Sequence, residues 1–268
     1  MIRLVMTDLD GTLLREDKTV SERNIAAIRS LKEQGIQFGI ATGRPLIGVY
    51  HMLERWGIRE YCDCLVGMNG VQLYDVMQDK KIEQHLLDGN SIRAIVNYYN
   101  GLDVTFGIYK GEVLYANRQN AFLHKLASQV GFDFVVCDYE TMYTKPQTKL
   151  LIMCEPHLMA DVAARAELLS LPQVNGFQSS GYLFEWMNAN ASKSLGISQI
   201  CAMRGYTMQD VVVFGDHDND LEMLRDAGIG VCMANGSERA KQAADVLTLS
   251  NEEDGLAVYV ETKILVRA

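Results

Sequence analysis

Apolar residues in the first quarter of the chain occur in short continuous runs that alternate with longer amphipathic stretches. The runs 2–6, 36–41 and 64–68 have the length of buried strands. Between them, apolar residues at helical spacing predict a helix that ends near Gly35 and a second helix over 46–56. Strands that alternate with helices are typical of βαβ units, so we expect an α/β protein with a Rossmann-like parallel sheet.

The pattern changes in the middle of the chain. Paired strand patterns are joined there by turns at Lys110-Gly111 and Ser180-Gly181, which is typical of antiparallel hairpins. We therefore predict that an α+β domain over 83–186 is inserted into a parallel-sheet core formed by 1–82 and 187–268. The insert's predicted strands are 102–109, 112–116, 133–137, 148–154, 173–178 and 182–187, and its helices are 91–100, 119–130 and 156–170.

The alternation of helices and strands resumes after this insert. The elements predicted there are a helix over 193–204, a strand over 211–214, a helix through Leu221, Leu224 and Arg225, a strand over 228–233, a helix over 237–244 and a strand over 245–249. We expect these strands to complete the parallel sheet.

Composition restricts the kinds of partner and compartment. The net charge of −9 argues against a nucleic-acid backbone as the main partner. The six cysteines have neither zinc-site nor disulfide spacing, which favours reduced thiols in the cytoplasm. No signal-like leader and no apolar span of membrane length is present, so no membrane partner is expected. The chain is expected to be a monomer or a weak homodimer.

Two carboxylates, Asp8 and Asp10, follow the first predicted strand directly, and a glycine turn comes after them. In an extended chain, residues two apart point to one side and lie roughly 6–7 Å apart. A phosphoryl group fits between two such carboxylates, so that one can attack phosphorus while the other serves the departing oxygen. An isolated Asp-x-Asp is also typical of a strand that ends in an acidic turn.

A third carboxylate, Asp216, follows the apolar strand 211–214. The carboxyl ends of parallel strands meet at one edge of a sheet, so Asp8, Asp10 and Asp216 are expected to cluster. Three uncompensated carboxylates imply a cation, and oxygen ligands favour Mg²⁺. The nearby Asp218, Asn219 and Asp220 also have the composition of a helix cap.

Two further segments offer groups that can bind an anion. Lys193 opens a predicted helix, where a cation opposes the helix dipole unless an anion is bound nearby. Thr42 and Gly43 lie between a strand end and a helix start, where a hydroxyl and free amides can bind a phosphoryl group. The alternatives are a solvated surface lysine at 193 and a plain helix cap at Thr42.

Together these segments resemble the four motifs of the haloacid dehalogenase superfamily. The matching stretches are Asp8-Leu-Asp-Gly-Thr-Leu13, Thr42-Gly43-Arg44, Lys193 and Gly215-Asp216-x-x-Asn219-Asp220. Their order and intervals are similar to those of the Cof-type sugar-phosphate phosphatases, which carry a C2-type cap after the second motif. Two departures are Ser194 and Ala234, where the family usually has glycine.

The resemblance implies a Mg²⁺-dependent phosphatase that acts on small phosphorylated metabolites. Asp8 would be the nucleophile that forms an aspartyl phosphate, and Asp10 the general acid and then the base. Mg²⁺ would be held by Asp8, the backbone carbonyl of Asp10 and Asp216, while Thr42 and Lys193 would stabilise the transferring group. Asn219 and Asp220 would orient Lys193 or the waters of the metal. The groups expected to bind substrate are Gly43, Arg44, Asn69 and Asn219. The cap would close over the crevice and select the substrate.

Two other functions are compatible with the same motifs. A phosphomutase or phosphotransferase of this fold would pass the phosphoryl group to a sugar hydroxyl instead of water. A regulator that binds a phosphometabolite would need neither a nucleophile nor a proton donor, and the intact Asp8 and Asp10 pair speaks against it.

Overall fold

The chain forms two compact units in a computed structural model that describes residues 1–265. The first unit contains Met1–Ile82 and the chain from Ser192 onward, and the second contains Glu83–Ala191. The second division therefore falls after Ala191, whereas the sequence pattern put it after residue 186. The difference arises because the strand Leu183–Asn188 pairs along its length within the sheet of the second unit.

Short strands and helices follow one another throughout the described chain. The strands are β1 (Leu4–Thr7), β2 (Gln37–Ala41), β3 (Cys64–Gly67), β4 (Gln72–Asp75), β5 (Lys80–Glu83), β6 (Thr105–Lys110), β7 (Val113–Ala116), β8 (Asp133–Val136), β9 (Leu150–Met153), β10 (Val174–Ser180), β11 (Leu183–Asn188), β12 (Val211–Gly215), β13 (Ile229–Cys232) and β14 (Val246–Leu247). The helices are α1 (Glu22–Glu33), α2 (Leu46–Arg55), α3 (Gly89–Tyr98), α4 (Ala121–Val130), α5 (Tyr139–Tyr143), α6 (Met159–Leu168), α7 (Lys193–Met203), α8 (Leu221–Asp226), α9 (Glu238–Ala243) and α10 (Gly255–Tyr259), which continues as a π-helical turn over Val260–Ile264.

The sheet of the first unit has the order β14-β13-β12-β1-β2-β3-β4-β5. Its strands run parallel from β14 to β3, and β4 turns back antiparallel to β3. The predicted α/β class with a Rossmann-like parallel sheet is confirmed. Strands β4 and β5 were not predicted. The sequence of β5, Lys80-Lys-Ile-Glu83, contains a single apolar residue and therefore shows no pattern of a buried strand.

The register of the central strands brings three strand ends together. β1 lies between β12 and β2, and Thr7 is opposite both Phe214 and Ile40. The residues that follow these strands therefore share the carboxyl edge of the sheet, where open α/β sheets bind ligands.

Apolar side chains cover both faces of this sheet. On one face α1, α2 and α10 pack on the strands through buried residues such as Ile28, Leu53 and Leu256. On the other face α7 and α8 pack through residues such as Ile197 and Leu224. With both faces buried, the strands read as continuous apolar runs, which is why the sequence pattern located most of them.

The second unit is an α+β domain with a sheet of its own. Its strand order is β10-β11-β9-β6-β7-β8, and only the β7–β8 pair among the described pairs is parallel. Helices α3 and α6 cover one face through buried residues such as Ile95 and Val162. Among residues 1–265, no helix is both long and apolar enough to cross a membrane.

Candidate active site

Asp8 follows β1 and is the most deeply placed carboxylate of the first motif. Its backbone N–H donates to the carbonyl of Phe214 (2.9 Å), and its Oδ1 accepts a hydrogen bond from Lys193 Nζ (2.6 Å). Burial raises the pKa of Asp8 to about 8, against the opposing charge of Lys193. The charge on this carboxylate is therefore poorly compensated by the protein alone.

Asp216 follows β12 and lies next to the turn after Asp10. Its Oδ1 accepts a hydrogen bond from the hydroxyl of Thr12 (2.6 Å), and burial raises the pKa of this carboxyl too. Gly11 turns the chain here with φ +84°, and a Cβ added to it would lie 2.4 Å from Asp216 Oδ2. Only glycine meets both the backbone conformation and this close approach.

Lys193 is the first residue of α7, and the side chain of Ser192 caps that helix by accepting the N–H of Leu195. Its buried ammonium bridges Asp8 Oδ1 (2.6 Å) and Asp220 Oδ1 (2.7 Å). Burial lowers the pKa of Lys193, but the charges of Asp220 and Asp8 outweigh this and leave it raised. The lysine is thus held as a cation, and not as the solvated surface residue that was the alternative.

Asp220 is fully buried, and both of its oxygens have protein donors. Oδ1 accepts from Lys193, and Oδ2 accepts the backbone N–H groups of Asp216 (2.9 Å) and His217 (3.0 Å). Asp220 takes part in the capping box at His217, as the composition of the segment indicated. It also accepts the hydrogen bond from Lys193 that holds the ammonium of this lysine in place.

The carboxylates of Asp8, Asp216 and Asp220 offer ligand oxygens that all lie within 4.8 Å of one another. Three carboxylates face a single ammonium, so the group carries excess negative charge in a buried place. Because both oxygens of Asp220 already accept hydrogen bonds, Asp8 and Asp216 are better placed than Asp220 to bind an ion. An oxygen-only donor set with this charge fits a hard divalent cation such as Mg²⁺.

The carboxylate of Asp10 is not part of this group and is bound by two cations instead. Arg44 donates to Asp10 from Nε (2.8 Å to Oδ2) and from Nη2 (2.6 Å to Oδ1), and Lys18 Nζ donates to Oδ1 (2.9 Å). Burial raises the pKa of Asp10, but the hydrogen bonds and charges of Arg44 and Lys18 outweigh it, so the pKa lies below its ordinary value. A contact between Arg44 and Asp10 was not expected from the sequence.

Thr42 and Gly43 follow β2 at the same edge of the sheet. Thr42 is buried, its N–H donates to Val66 O (2.8 Å), and its hydroxyl oxygen accepts the N–H of Arg44 (3.2 Å). The hydroxyl hydrogen is left to donate elsewhere. A Cβ on Gly43 would lie 3.1 Å from Asn69 Oδ1, so this glycine permits a close approach.

Asn69 and Asn219 come from different strand ends and meet here. Asn69 has a left-handed backbone (φ 51°), and its N–H donates to Thr42 O (3.0 Å). The amide nitrogen of Asn219 donates to Asn69 Oδ1 (3.4 Å). The structure therefore brings together two groups among the predicted residues: Thr42, Gly43, Asn69 and Asn219 in one, and Asp8, Lys193, Asp216 and Asp220 in the other.

The two departures from the family pattern are both accommodated. Ser194 is buried and its hydroxyl donates to Asp226 Oδ2 (2.5 Å), on α8. Ala234 is exposed, so its methyl group displaces nothing. Neither side chain contacts a carboxylate of the buried group.

Three other residues contact this region and were not predicted. Thr12 lies within the first motif but had been given no role, and its hydroxyl contacts Asp216. Asn235 donates to the carbonyl of Gly11 (2.8 Å), and Lys18 contacts Asp10. Asn235 belongs to the stretch Met233-Ala-Asn235, which resembles the family's Met-Gly-Asn, but the sequence did not indicate its contact with Gly11. No sequence pattern marks Lys18, because its contact depends on how a loop closes in three dimensions.

Comparison with known proteins identifies the family. A family model for haloacid dehalogenase-like hydrolases matches residues 5–260. A 5-amino-6-(5-phospho-D-ribitylamino)uracil phosphatase of Bacillus subtilis is 30% identical, over 96% of this chain and 96% of its own length, and a second B. subtilis phosphatase of that name is 26% identical over 98% and 96%. A solved haloacid dehalogenase-like hydrolase from Bacteroides thetaiotaomicron superposes with a TM-score of 0.86 at 27% identity, covering 97% of this chain and 99% of that one.

The chain therefore belongs to the haloacid dehalogenase-like hydrolases, and it is an enzyme of their phosphatase class. The resemblance found in the sequence is confirmed.

Proposed function

We propose that this phosphatase hydrolyses small phosphate monoesters with Mg²⁺, through an aspartyl phosphate formed on Asp8. The observation that carries the proposal is the buried contact of Asp8 with Lys193 Nζ (2.6 Å), next to the carboxylates of Asp216 and Asp220. Three buried carboxylates with one ammonium between them leave an excess of negative charge, which a purely structural role does not explain. A nucleophile beside a bound metal ion does explain it, because the ion balances that charge.

Asp8 attacks phosphorus with a carboxylate oxygen, and the bond between phosphorus and the ester oxygen breaks. Asp10 gives a proton to that oxygen and later takes one from the water that hydrolyses the aspartyl phosphate. Asp10 is two residues beyond Asp8 and is held on the solvent side by Arg44, which suits exchange of protons with a leaving alcohol and with water.

Positive charge and hydrogen-bond donors stabilise the transferring group, which is most of what phosphoryl transfer needs. Lys193 supplies the buried cation, and the hydroxyl of Thr42 supplies a donor. Gly43, Asn69 and Asn219 line the same edge of the sheet and are proposed to bind substrate. Arg44 uses two of its N–H groups on Asp10, and a guanidinium has further ones for a phosphoryl oxygen.

Asp8 and Asp216, with the backbone carbonyl of Asp10, are proposed to hold Mg²⁺, and Asp220 to orient Lys193 from behind. When bound, the ion neutralises charge on the transferring phosphoryl group. Thr12 fixes Asp216 through its hydroxyl and so supports the same site.

For the substrate, we propose a sugar or polyol phosphate. The support is the activity for which the two B. subtilis relatives are named, since their substrate carries a phosphoribityl group. The second unit is proposed to act as the cap that selects among such substrates. The six cysteines are all unpaired, which supports a reducing compartment such as the cytoplasm.

The test compares Asp8→Asn with the surface variant Asp161→Asn in a Mg²⁺-dependent assay on p-nitrophenyl phosphate and a panel of sugar phosphates. Asp8→Asn should lower kcat by roughly 10³-fold or more, since a neutral amide is a poor nucleophile. EDTA should abolish wild-type turnover and added Mg²⁺ should restore it, while Asp161→Asn keeps full activity. Near-normal turnover in Asp8→Asn, or in EDTA, would contradict the proposal.

A further inference from the structure

Asp216 contacts two separate segments of the first unit. The hydroxyl of Thr12 donates to its Oδ1 (2.6 Å), and Gly11 lies so close to its Oδ2 that an added Cβ would come within 2.4 Å. In the loop that follows β13, the N–H of Ser237 donates to the backbone carbonyl of Asp216 (2.8 Å). The first segment therefore orients the carboxylate, and the second holds the backbone that carries it.

Asn235 joins these two segments. It lies in the same loop as Ser237, and its Nδ2 donates to the carbonyl of Gly11 (2.8 Å). Its Oδ1 accepts the backbone N–H of Asn251 (3.1 Å), a residue that follows β14. Because one partner is a carbonyl and the other an N–H, the two bonds fix which way round the amide lies. Asn235 is exposed, so these hydrogen bonds and not packing hold its side chain in place.

The bond from Asn235 reaches the peptide group on which both contacts to the carboxylate depend. The carbonyl of Gly11 belongs to the peptide group that links Gly11 to Thr12, and these two residues contact the two carboxylate oxygens of Asp216. Glycine has more backbone freedom than any other residue, so a hydrogen bond to its carbonyl restrains a segment that would otherwise move readily. Fixing this one peptide group therefore fixes both contacts with Asp216.

We propose that Asn235 is a positioning residue for Asp216: by fixing the peptide group between Gly11 and Thr12, it holds the carboxylate in the orientation that binds Mg²⁺. The inference rests on the proposed function, in which Asp216 is a ligand of the ion. Removing a group that orients a metal ligand typically weakens metal binding by roughly 10–100-fold. The amide of Asn235 is engaged with two backbone groups, so its effect on the ion passes through Asp216.

The test is a calorimetric titration of the metal-free protein with Mg²⁺, in the absence of substrate. Asn235→Ala should weaken Mg²⁺ binding by roughly tenfold or more. At saturating Mg²⁺, its kcat for p-nitrophenyl phosphate should return to within about threefold of the wild type, because the variant keeps both Asp8 and Lys193. A merely structural role would lower the melting temperature and leave the Mg²⁺ affinity unchanged.

Asn188 offers a matched control in the second unit. Its Nδ2 donates to the carbonyl of Leu86 (3.2 Å), and its Oδ1 accepts the N–H of Asn190 (2.9 Å). These are the same two kinds of bond that Asn235 makes. Asn188→Ala should therefore lose a similar amount of stability and keep the wild-type affinity for Mg²⁺.

Asn235→Asp separates the two bonds of the amide. The carboxylate has the same shape and still accepts the N–H of Asn251, but it cannot donate to the carbonyl of Gly11. An added negative charge would by itself attract the cation. Weaker Mg²⁺ binding in Asn235→Asp, which we expect, would therefore come from the lost bond to Gly11.

Wild-type Mg²⁺ affinity in Asn235→Ala, or an equal loss of affinity in Asn188→Ala, would overturn the positioning role. An affinity in Asn235→Asp at or above that of the wild type would overturn the assignment to the bond with Gly11. The proposed function fails separately, if the wild-type protein binds no Mg²⁺ or if Asp8→Asn hydrolyses p-nitrophenyl phosphate at a near-normal rate. The two failures are therefore distinguishable.

Discussion

Replacing Gly11 by alanine tests whether Asp216 is placed to bind the metal. The substitution has two costs in the structure. The backbone at Gly11 is left-handed (φ +84°), which costs a residue with a Cβ about 1–2 kcal/mol. The new Cβ would also lie 2.4 Å from Asp216 Oδ2, closer than such atoms approach, so the carboxylate must move.

Gly205 gives a matched control for the first cost. It is also left-handed (φ +67°), but a Cβ added there would have no heavy atom within 4 Å. Gly205→Ala should therefore lose about the same 1–2 kcal/mol of backbone stability with no effect on the site. Any difference in Mg²⁺ affinity or kcat between Gly11→Ala and Gly205→Ala therefore reports the displacement of Asp216.

The assay is a urea unfolding curve for each variant and a Mg²⁺ titration of p-nitrophenyl phosphate hydrolysis. Gly11→Ala should weaken the apparent Mg²⁺ affinity or lower kcat by roughly 10–100-fold, the usual effect of displacing groups at a metal site. Gly205→Ala should keep wild-type values for both. If the two variants had the same Mg²⁺ dependence and kcat, the placement of Asp216 at the metal would be refuted.

Two further predictions concern the fold and the charge on Asp8. Asp75→Asn should lower the free energy of unfolding by about 3–5 kcal/mol, because it leaves the buried guanidinium of Arg204 without its ion pair. The control Glu261→Gln, at the exposed pair with Arg23, should lower it by under about 1 kcal/mol. A free energy of unfolding for Asp75→Asn, from urea curves, that lies within about 1 kcal/mol of the wild type would contradict this. Burial raises the pKa of Asp8 to about 8, so the metal-free fold binds that proton more tightly than the unfolded chain and should lose stability as the pH rises toward 8. Mg²⁺ should then release protons when it binds at pH 7, measured by calorimetry in buffers of different ionisation enthalpy, and should release fewer in Asp8→Asn.

The sequence located the parts of the site that follow apolar strands directly. Asp8 and Asp216 come after strands with unbroken apolar runs, and parallel pairing then brings their strand ends together. Lys193 could be placed because a lysine at a helix start is unfavourable unless an anion is near. These inferences use only local pattern and the geometry of parallel sheets.

Other features depend on contacts that no local pattern encodes. Lys18 contacts Asp10 from a turn whose carbonyl at Lys18 accepts the indole N–H of Trp56, a residue far along the chain. The strand β5 was not predicted because it is polar. The second boundary between the two units lies later in the chain than predicted, because β11 extends through Asn188. The short α10 was missed as well, since Gly255–Tyr259 is too short to show a helical period.

The most direct test of the central claim is chemical trapping of the intermediate. The enzyme is mixed with Mg²⁺ and p-nitrophenyl phosphate, quenched during turnover and treated with borohydride, which reduces an aspartyl phosphate to homoserine. Mass spectrometry of the peptide that contains Asp8 should find homoserine at that position in the wild type and not in Asp8→Asn. Turnover with no reduced residue at position 8, or with the reduced residue elsewhere, would contradict the account.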